Sequence, residues 1–439
     1  FFSQAFHNPQ EVTRACLDCH PAAAREVMAT PHWTWENHPQ IREKDGKVML
    51  LGKKHVLNNF CISISGNWMG CTSCHAGYGW EKDTFDFSDP LRVDCLVCHD
   101  WSGTYTKGEG GWPKPEVDLL ASARSVGYPR RDNCAVCHAY GGGGMGVKHG
   151  DLDSSLLNPP EHLDVHMGQH NMLCIDCHQT KRHLIAGRSY GVGVNPEGGF
   201  DCARCHGTEP HQNARINSHT ATLACVTCHI PAFATRQPTK MTWDWSAAGD
   251  ADREDDPHRY LKIKGAFTYG NSLQPEYRWF NRSMDRYLLG DPLAADGETD
   301  INTPQGGYDD RDSRIWPFKV HVALQPADKV HQWLIPPVTA GEGGYWHLFN
   351  WYLALKKGAE LAGLPFSGQY GFVTTRMYWP LHHLVVPGSR ALSCVDCHHP
   401  AGEGQGRMDW KHLGYRGDPQ IYGGRRPDSG SRTAKGAQP

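Results

Sequence analysis

Eight C-x-x-C-H motifs constrain this 439-residue chain more than any other feature. They stand at Cys16-Cys19-His20, Cys71-Cys74-His75, Cys95-Cys98-His99 and Cys134-Cys137-His138. They recur at Cys174-Cys177-His178, Cys202-Cys205-His206, Cys225-Cys228-His229 and Cys394-Cys397-His398. Together they take sixteen of the 17 cysteines and leave Cys61. A disulfide scaffold has no use for a histidine after every second cysteine. A zinc site does not need one trailing all eight pairs, and thioredoxin-like chemistry uses a single motif. C-x-x-C-H is instead the attachment signature of c-type haem: two thioethers fix the porphyrin, and the adjacent histidine is placed to bind iron from one face. The spacing therefore predicts eight covalently bound haem c groups.

That cofactor load accounts for the composition. Hydrophobic residues make up 39 %, below the usual globular share, while 10 % aromatics argues against disorder. Haem faces then serve as core. Seven motifs lie between Cys16 and His229, one per about 30 residues, which leaves room only for short helices and loops. The expected fold is a mainly α and irregular multihaem cytochrome c fold, with haems forming much of the core and a minor β component in 231–393. Three regions follow: a seven-haem core over 1–230, a motif-free segment over 231–393, and the eighth motif with an extended tail over 394–439. In the motif-free segment, LKIKGAFTYG, EYRWFN and FKVHVALQ alternate in part between apolar and polar and predict strands. The stretch from Tyr345 to Gly363 has helical spacing and ends at glycine. The motifs keep no fixed period, so the chain is not a solenoid.

A net charge of −3, from 44 basic and 47 acidic residues, gives no electrostatic reason to expect nucleic acid. No run of about 18 apolar residues exists, so no membrane span is expected. The opening FFSQAFHNPQ has no basic or apolar leader segment, so any export signal is read as already removed. Haem attachment to exported cytochromes points to the periplasm. Sixteen propionates and eight ferric centres would bring the formal charge to about −11. An anionic substrate would then need its own pocket of Lys, Arg or amide donors.

Eight histidines belong to motifs, and nineteen others compete for the second face of each iron. An electron relay uses a second histidine, while a catalytic haem keeps an open face. His32, His219 and His383 sit near motifs and are the first candidates; His149, His166, His183 and His211 are further ones. His162 and His170 flank His166 at helical spacing, which leaves the choice among them open. For each, the plain alternative is a hydrogen-bonded or surface histidine. Two features do not suit a simple wire. One is Cys61 in NNFCISISGNWMGCTSCH, for which the plain reading is an inert buried thiol. The other is AYGGGGMGVKHGDLD, where Gly141 to Gly144 let backbone approach a cofactor and deliver Lys148, His149 and Asp151 near it. The plain reading of Lys148 is a solvated lysine.

The motif order, NNFCIS…CTSCHAGYGW, VKHGDLD and LHHLVVP…ALSCVDCHH together resemble the octahaem tetrathionate reductases over nearly the whole chain. The resemblance implies a periplasmic multihaem reductase that also handles nitrite and hydroxylamine, with one haem bound by lysine despite an ordinary C-x-x-C-H motif. Periplasmic nitrite reductases do something comparable with C-x-x-C-K, which is absent here. Carried onto this sequence, the active haem is that of Cys71 and Cys74, with Lys148 as ligand and His75 displaced. Cys61 and Asn67 would line the same cavity, and Asp151 or a nearby histidine would manage protons. The leading reading is two-electron cleavage of tetrathionate to two thiosulfates, with Cys61 forming a transient thiosulfonate-like adduct. Its rivals are reduction of nitrite or hydroxylamine to ammonium at the same iron, and a non-enzymatic carrier with every iron held by two histidines. The expected electron donor is a small periplasmic or quinol-linked cytochrome. A calcium ion, bound by related multihaem reductases, would find carboxylates here but no identifying loop.

Overall fold

Every C-x-x-C pair needs only one helical turn to bring its two cysteines onto the same side, and the chain builds little more than that. The computed structural model describes residues 2–3, 5–37, 39–42, 45–60, 63–187, 200–399 and 406–425. The first motif closes an 11-residue helix, Pro9–Cys19, started by Pro9 and capped by Asn8, whose side chain accepts from the Glu11 N–H at 3.0 Å. Later motifs ride on helices of four to eight residues: Leu96–His99, Arg131–His138, Cys174–Cys177, Ala203–His206, Cys225–His229 and Cys394–Cys397. Such pieces are too short to be stable alone, so tertiary contacts and attached cofactor must hold them. The second motif differs. Its helix Trp68–Cys71 tightens into a 3-10 turn over Thr72–Cys74, and His75 leaves in extended conformation (ψ 141°).

Two small hairpins precede the sheet: β1 (Gln40–Ile41) with β2 (Val48–Met49), and β3 (Thr180–Lys181) with β4 (Leu184–Ile185). The sheet itself has nine strands among the described residues. They are β5 (Thr239–Asp244), β6 (Tyr260–Leu261), β7 (Gly265–Gly270), β8 (Glu276–Phe280), β9 (Met284–Arg286), β10 (Glu298–Pro304), β11 (Arg314–Asp328), β12 (Trp333–Leu334) and β13 (Tyr370–Pro380). The order is β6-β7-β5-β11-β13-β10-β9, with β8 and β12 also paired to β11. This is more sheet than the few strands expected. Alternation marks β7, β8 and β11, but β10 reads ETDINTP and shows no such pattern; it is held by parallel pairing with β13. The expected helix from Tyr345 breaks at Phe349 (φ 49°) into Tyr345–Leu348 and Trp351–Leu361. The tail forms one turn, Pro419–Tyr422, before residues 426–439, which lie outside those described.

Strand β11 is buried on both faces, and alternate side chains go opposite ways. Trp316, Phe318 and Val320 pack with Tyr378 against Val226 and Ile230 at the seventh motif. On the other face lie Lys319 and His321, whose register partners are Trp379 and Met377. Those partners pack with Leu57, Phe60 and Val147. The sheet is thus a plate with a motif helix on one side and the loops around Phe60 and Lys148 on the other. Among the described residues no helix is long and apolar enough to cross a membrane.

Candidate functional site

Six motif histidines face a second imidazole. The pairs are His138 with His32 (6.2 Å between ring centroids), His99 with His183 (6.4 Å) and His206 with His166 (5.9 Å). The others are His178 with His383 (6.4 Å), His229 with His211 (6.1 Å) and His398 with His219 (6.3 Å). Two rings on opposite sides of one metal, with metal–nitrogen bonds of about 2.0 Å and about 1.1 Å from nitrogen to ring centre, have centroids about 6 Å apart. The donor sets therefore fit axial ligation by two histidines. Among the described residues no imidazole faces His20 in this way. His149 lies edge-on to Trp379 at 5.0 Å and faces no motif histidine.

Cysteines of different motifs also meet. Cys16 and Cys95, Cys74 and Cys137, Cys134 and Cys174, and Cys202 and Cys225 lie within hydrogen-bonding reach of each other. Cys98 acts electrostatically on Cys134, Cys205 on Cys177, and Cys394 on Cys228. In motif order these mutual influences run 1–3–4–5–6–7–8, with the second motif linked to the fourth.

Two buried carboxylates hold the segment that carries His383. Asp151 Oδ2 accepts from the His382 N–H (2.7 Å) and the His383 N–H (3.0 Å), and lies 3.4 Å from His383 Nδ1. Asp164 Oδ2 accepts from the next two amides, Leu384 (3.1 Å) and Val385 (3.2 Å), while its Oδ1 takes the Met167 N–H (2.9 Å). Burial would pull His383 down, but the bond and charge of Asp151 outweigh it and hold it above its ordinary range. Asp164 also caps the turn Val165–Gln169, which presents His166. Arg131 ties that turn to the fourth motif by donating to Met167 O (2.8 Å) and Met172 O (2.7 Å). Asp151, expected beside Lys148 as a proton manager, therefore has its Oδ2 engaged by this clamp.

The second motif has no histidine pair among the described residues. His75 is fully buried, its Nε2 is 2.7 Å from Trp33 O, and Trp and Phe rings surround it. Burial pulls it down to about 3, so the imidazole is neutral. The glycine run that leads to Lys148 instead packs against this motif. Gly141 permits that approach, because a Cβ there would lie 2.3 Å from Cys137 O and 2.9 Å from Cys74 Sγ. A Cβ on Gly142, at φ +71°, would stand 3.4 Å from Phe60 and 3.5 Å from the Lys148 chain. Burial, helped by the charge of Lys53, pulls Lys148 down to about 8. Lys319 sits entirely inside; its Nζ donates to Val147 O (3.2 Å), Lys148 O (3.1 Å) and Thr239 Oγ1, fixing the Lys148 backbone.

Cys61 lies outside the described residues. The Phe60 ring packs on Trp379, and Phe60 O accepts from Lys240 Nζ at 3.3 Å. Lys53 donates to Cys71 O at 3.4 Å. Asn67 is buried and committed: Oδ1 accepts from Thr339 N and Oγ1 (2.8 Å each) and Ala340 N (3.3 Å). Its Nδ2 donates to Ser63 O (3.1 Å), Ser65 O (3.2 Å) and Pro337 O (3.2 Å). It is a clasp between two loops and has no donor left for a substrate. Lys319, Asp164 and Lys53 are site residues that sequence reading did not single out; a lysine within the apolar run of β11 was the one available signal. Among the described residues no group of three or more His, Cys, Asp or Glu is arranged to hold a further ion.

Known proteins resemble this chain over much of its length. A crystal structure of octahaem cytochrome c from Shewanella oneidensis superposes with a TM-score of 0.88 at 45 % identity, covering 94 % of this chain and 95 % of that one. A bacterial cytochrome c family model matches residues 240–401. An uncharacterized protein of Archaeoglobus fulgidus is 25 % identical over 226 residues, 39 % of this chain and 74 % of that protein.

Proposed function

The chain belongs to the octahaem cytochromes c, and on that footing we propose that it is a periplasmic reductase converting tetrathionate to two thiosulfates at the Cys71-Cys74 motif. Haem c is covalently bound and the chemistry is redox chemistry. Eight haems, one per motif, complete the proposal, with the motifs other than the second relaying electrons. The observation that carries it is an asymmetry: six motif histidines face another imidazole, while at the second motif the histidine is buried among aromatics and the glycine run leading to Lys148 packs on Cys74, close enough for the lysine and thiol charges to act on each other. Paired histidines suit a relay, and a single lysine ligand leaves one iron face open. Haem at this motif supplies electrons one at a time and that open face.

The chain's own groups do the rest. Lys148 binds as the neutral amine, which its buried position makes accessible near neutral pH. Lys319 holds the Lys148 carbonyl and so aims the side chain. Lys53 and Lys240 give an otherwise acidic protein local positive charge for a dianion. The Cys61 thiolate attacks one central sulfur of tetrathionate, and the central S–S bond breaks. One thiosulfate leaves with the bonding pair, and Cys61 is left carrying S–SO₃⁻. Two electrons, drawn from a reduced periplasmic or quinol-linked cytochrome, then cleave the new S–S bond. They release the second thiosulfate and restore the thiolate. The sum is tetrathionate plus two electrons to two thiosulfates, with no net proton. No proton manager is needed, and Asp151 is assigned to His383 instead.

The test is anaerobic turnover with reduced viologen, offering tetrathionate, nitrite and hydroxylamine separately to wild type and Cys61→Ala. Tetrathionate turnover that collapses in the variant is expected. Retained tetrathionate turnover removes the thiol step. Turnover of the nitrogen substrates alone replaces the sulfur reading with nitrite or hydroxylamine reduction, and no turnover leaves an electron carrier.

A further inference from the structure

We propose that the second motif carries a built lock that keeps its histidine off the iron, and that this lock decides the ligand in favour of Lys148. The inference rests on the lysine ligation proposed above. A motif histidine is tethered next to the haem-bearing cysteine and is mostly neutral near pH 7. A lysine must first lose a proton from a group that ordinarily holds it to above pH 10. With both free, the histidine would win, so lysine ligation needs something that removes His75 from the competition.

The structure contains such a device. Five aromatic rings enclose the His75 imidazole: Trp80 at 4.9 Å, Trp33 at 5.0 Å, Phe85 at 5.4 Å, Trp35 at 5.6 Å and Phe87 at 6.1 Å between centroids. Four of the five meet it near-perpendicularly, the geometry aromatic pairs favour. Nε2, the outermost ring nitrogen, is taken by Trp33 O at 2.7 Å. Gly77 closes the cage, since a Cβ there would stand 2.6 Å from the Trp33 ring, 2.8 Å from Arg92 O and 3.0 Å from the His75 ring.

The backbone is held as firmly. Lys107, buried, donates from Nζ to His75 O and to Gly77 O (3.1 Å) and pairs with the equally buried Asp94 at 2.8 Å. Asp94 Oδ1 in turn accepts from Tyr105 Oη at 3.0 Å and from the Val97 N–H at 3.1 Å. These contacts fix the extended exit of His75 from its 3-10 turn; the other seven motifs are α-helical up to or through the second cysteine, although His398 of the eighth also leaves extended. Trp33, Trp80, Phe85 and Lys107 are thus positioning residues: they act on the iron only through the histidine they withhold.

The test uses the holoprotein and the resonance Raman iron–imidazole stretching band, which a reduced haem shows when a single histidine is its axial ligand. Six-coordinate haems with two histidines do not contribute it. Wild type and Lys148→Leu, both with the cage intact, should lack any such band that depends on His75; a band from His20, which faces no imidazole among the described residues, would be common to every variant. The His75-dependent band should appear in Lys148→Leu combined with Phe85→Leu, and in Lys148→Leu combined with Trp80→Leu, and vanish again when His75→Phe is added to either. Phe85 is at the outer wall of the cage, so one combination survives if the loss of Trp80 prevents folding. A band in Lys148→Leu that His75→Phe removes overturns the lock, because His75 then returns unaided. So does its absence from a cage-opened variant that keeps the low-spin spectrum of the remaining haems. A band in wild type that His75→Phe abolishes overturns the lysine ligation itself.

Discussion

Asn67→Ala separates a structural clasp from a catalytic asparagine. Its side chain makes six hydrogen bonds, and three of them are short or central: Thr339 N and Oγ1 at 2.8 Å and Ser63 O at 3.1 Å. At about 1 kcal/mol net for each, truncation costs about 3 kcal/mol, with the buried Thr339 N–H left without its acceptor. The junction has no slack to absorb the loss: a Cβ on the neighbouring Gly66 would already lie 2.6 Å from Val338 and 2.9 Å from Leu361. Covalent cofactors undermine a two-state melting analysis, so the suitable measurement is hydrogen exchange by mass spectrometry on peptides covering 336–345. If the clasp governs local opening, about 3 kcal/mol becomes roughly a hundredfold faster exchange at Thr339 and Ala340. Asn67→Asp should do no better, because it turns an oxygen towards three carbonyls. Unchanged protection together with lost turnover would refute the clasp and return Asn67 to the substrate.

Further outcomes concern the histidine pairs. Asp151→Asn keeps the shape behind His383 but removes its charge; a unit charge about 8 Å away at an effective dielectric near 20 is worth about 2 kcal/mol, on the order of 90 mV for one electron. Potentiometric titration should therefore show one haem moving upwards by tens of mV, and a flat result would remove Asp151 from that ligand. Asp164→Ala should disturb two haems together, because one carboxylate supports both the His166 turn and the His383 segment; quantitative low-spin EPR should show both signals changed, against one for His166→Ala. His166→Met should raise a single potential, as methionine ligation does, whereas His162→Met and His170→Met should leave all of them in place.

What the sequence made legible follows the range of the interaction that decides each feature. Covalent attachment is local, so C-x-x-C-H announces it within five residues. The second imidazole is not local: His32 stands 12 residues after His20 yet faces His138, and His219 shortly precedes the seventh motif yet faces His398 of the eighth. Nearness in sequence points to a histidine in crowded surroundings, while its partner is set by folding across the sheet and by clamps such as Asp151 on a segment 231 residues away. The glycine run before Lys148 could be read as close approach because glycine's freedom belongs to the residue itself. The proposed reason for a lysine ligand there could not be read, since it resides in aromatic residues at 33, 35, 80, 85 and 87 that each look like ordinary core. On that proposal the unusual ligand is not encoded by the lysine alone. It arises where a common motif is placed in a common kind of core that happens to accept its histidine, so a relative could keep every C-x-x-C-H and still regain ordinary ligation by losing one ring of the cage.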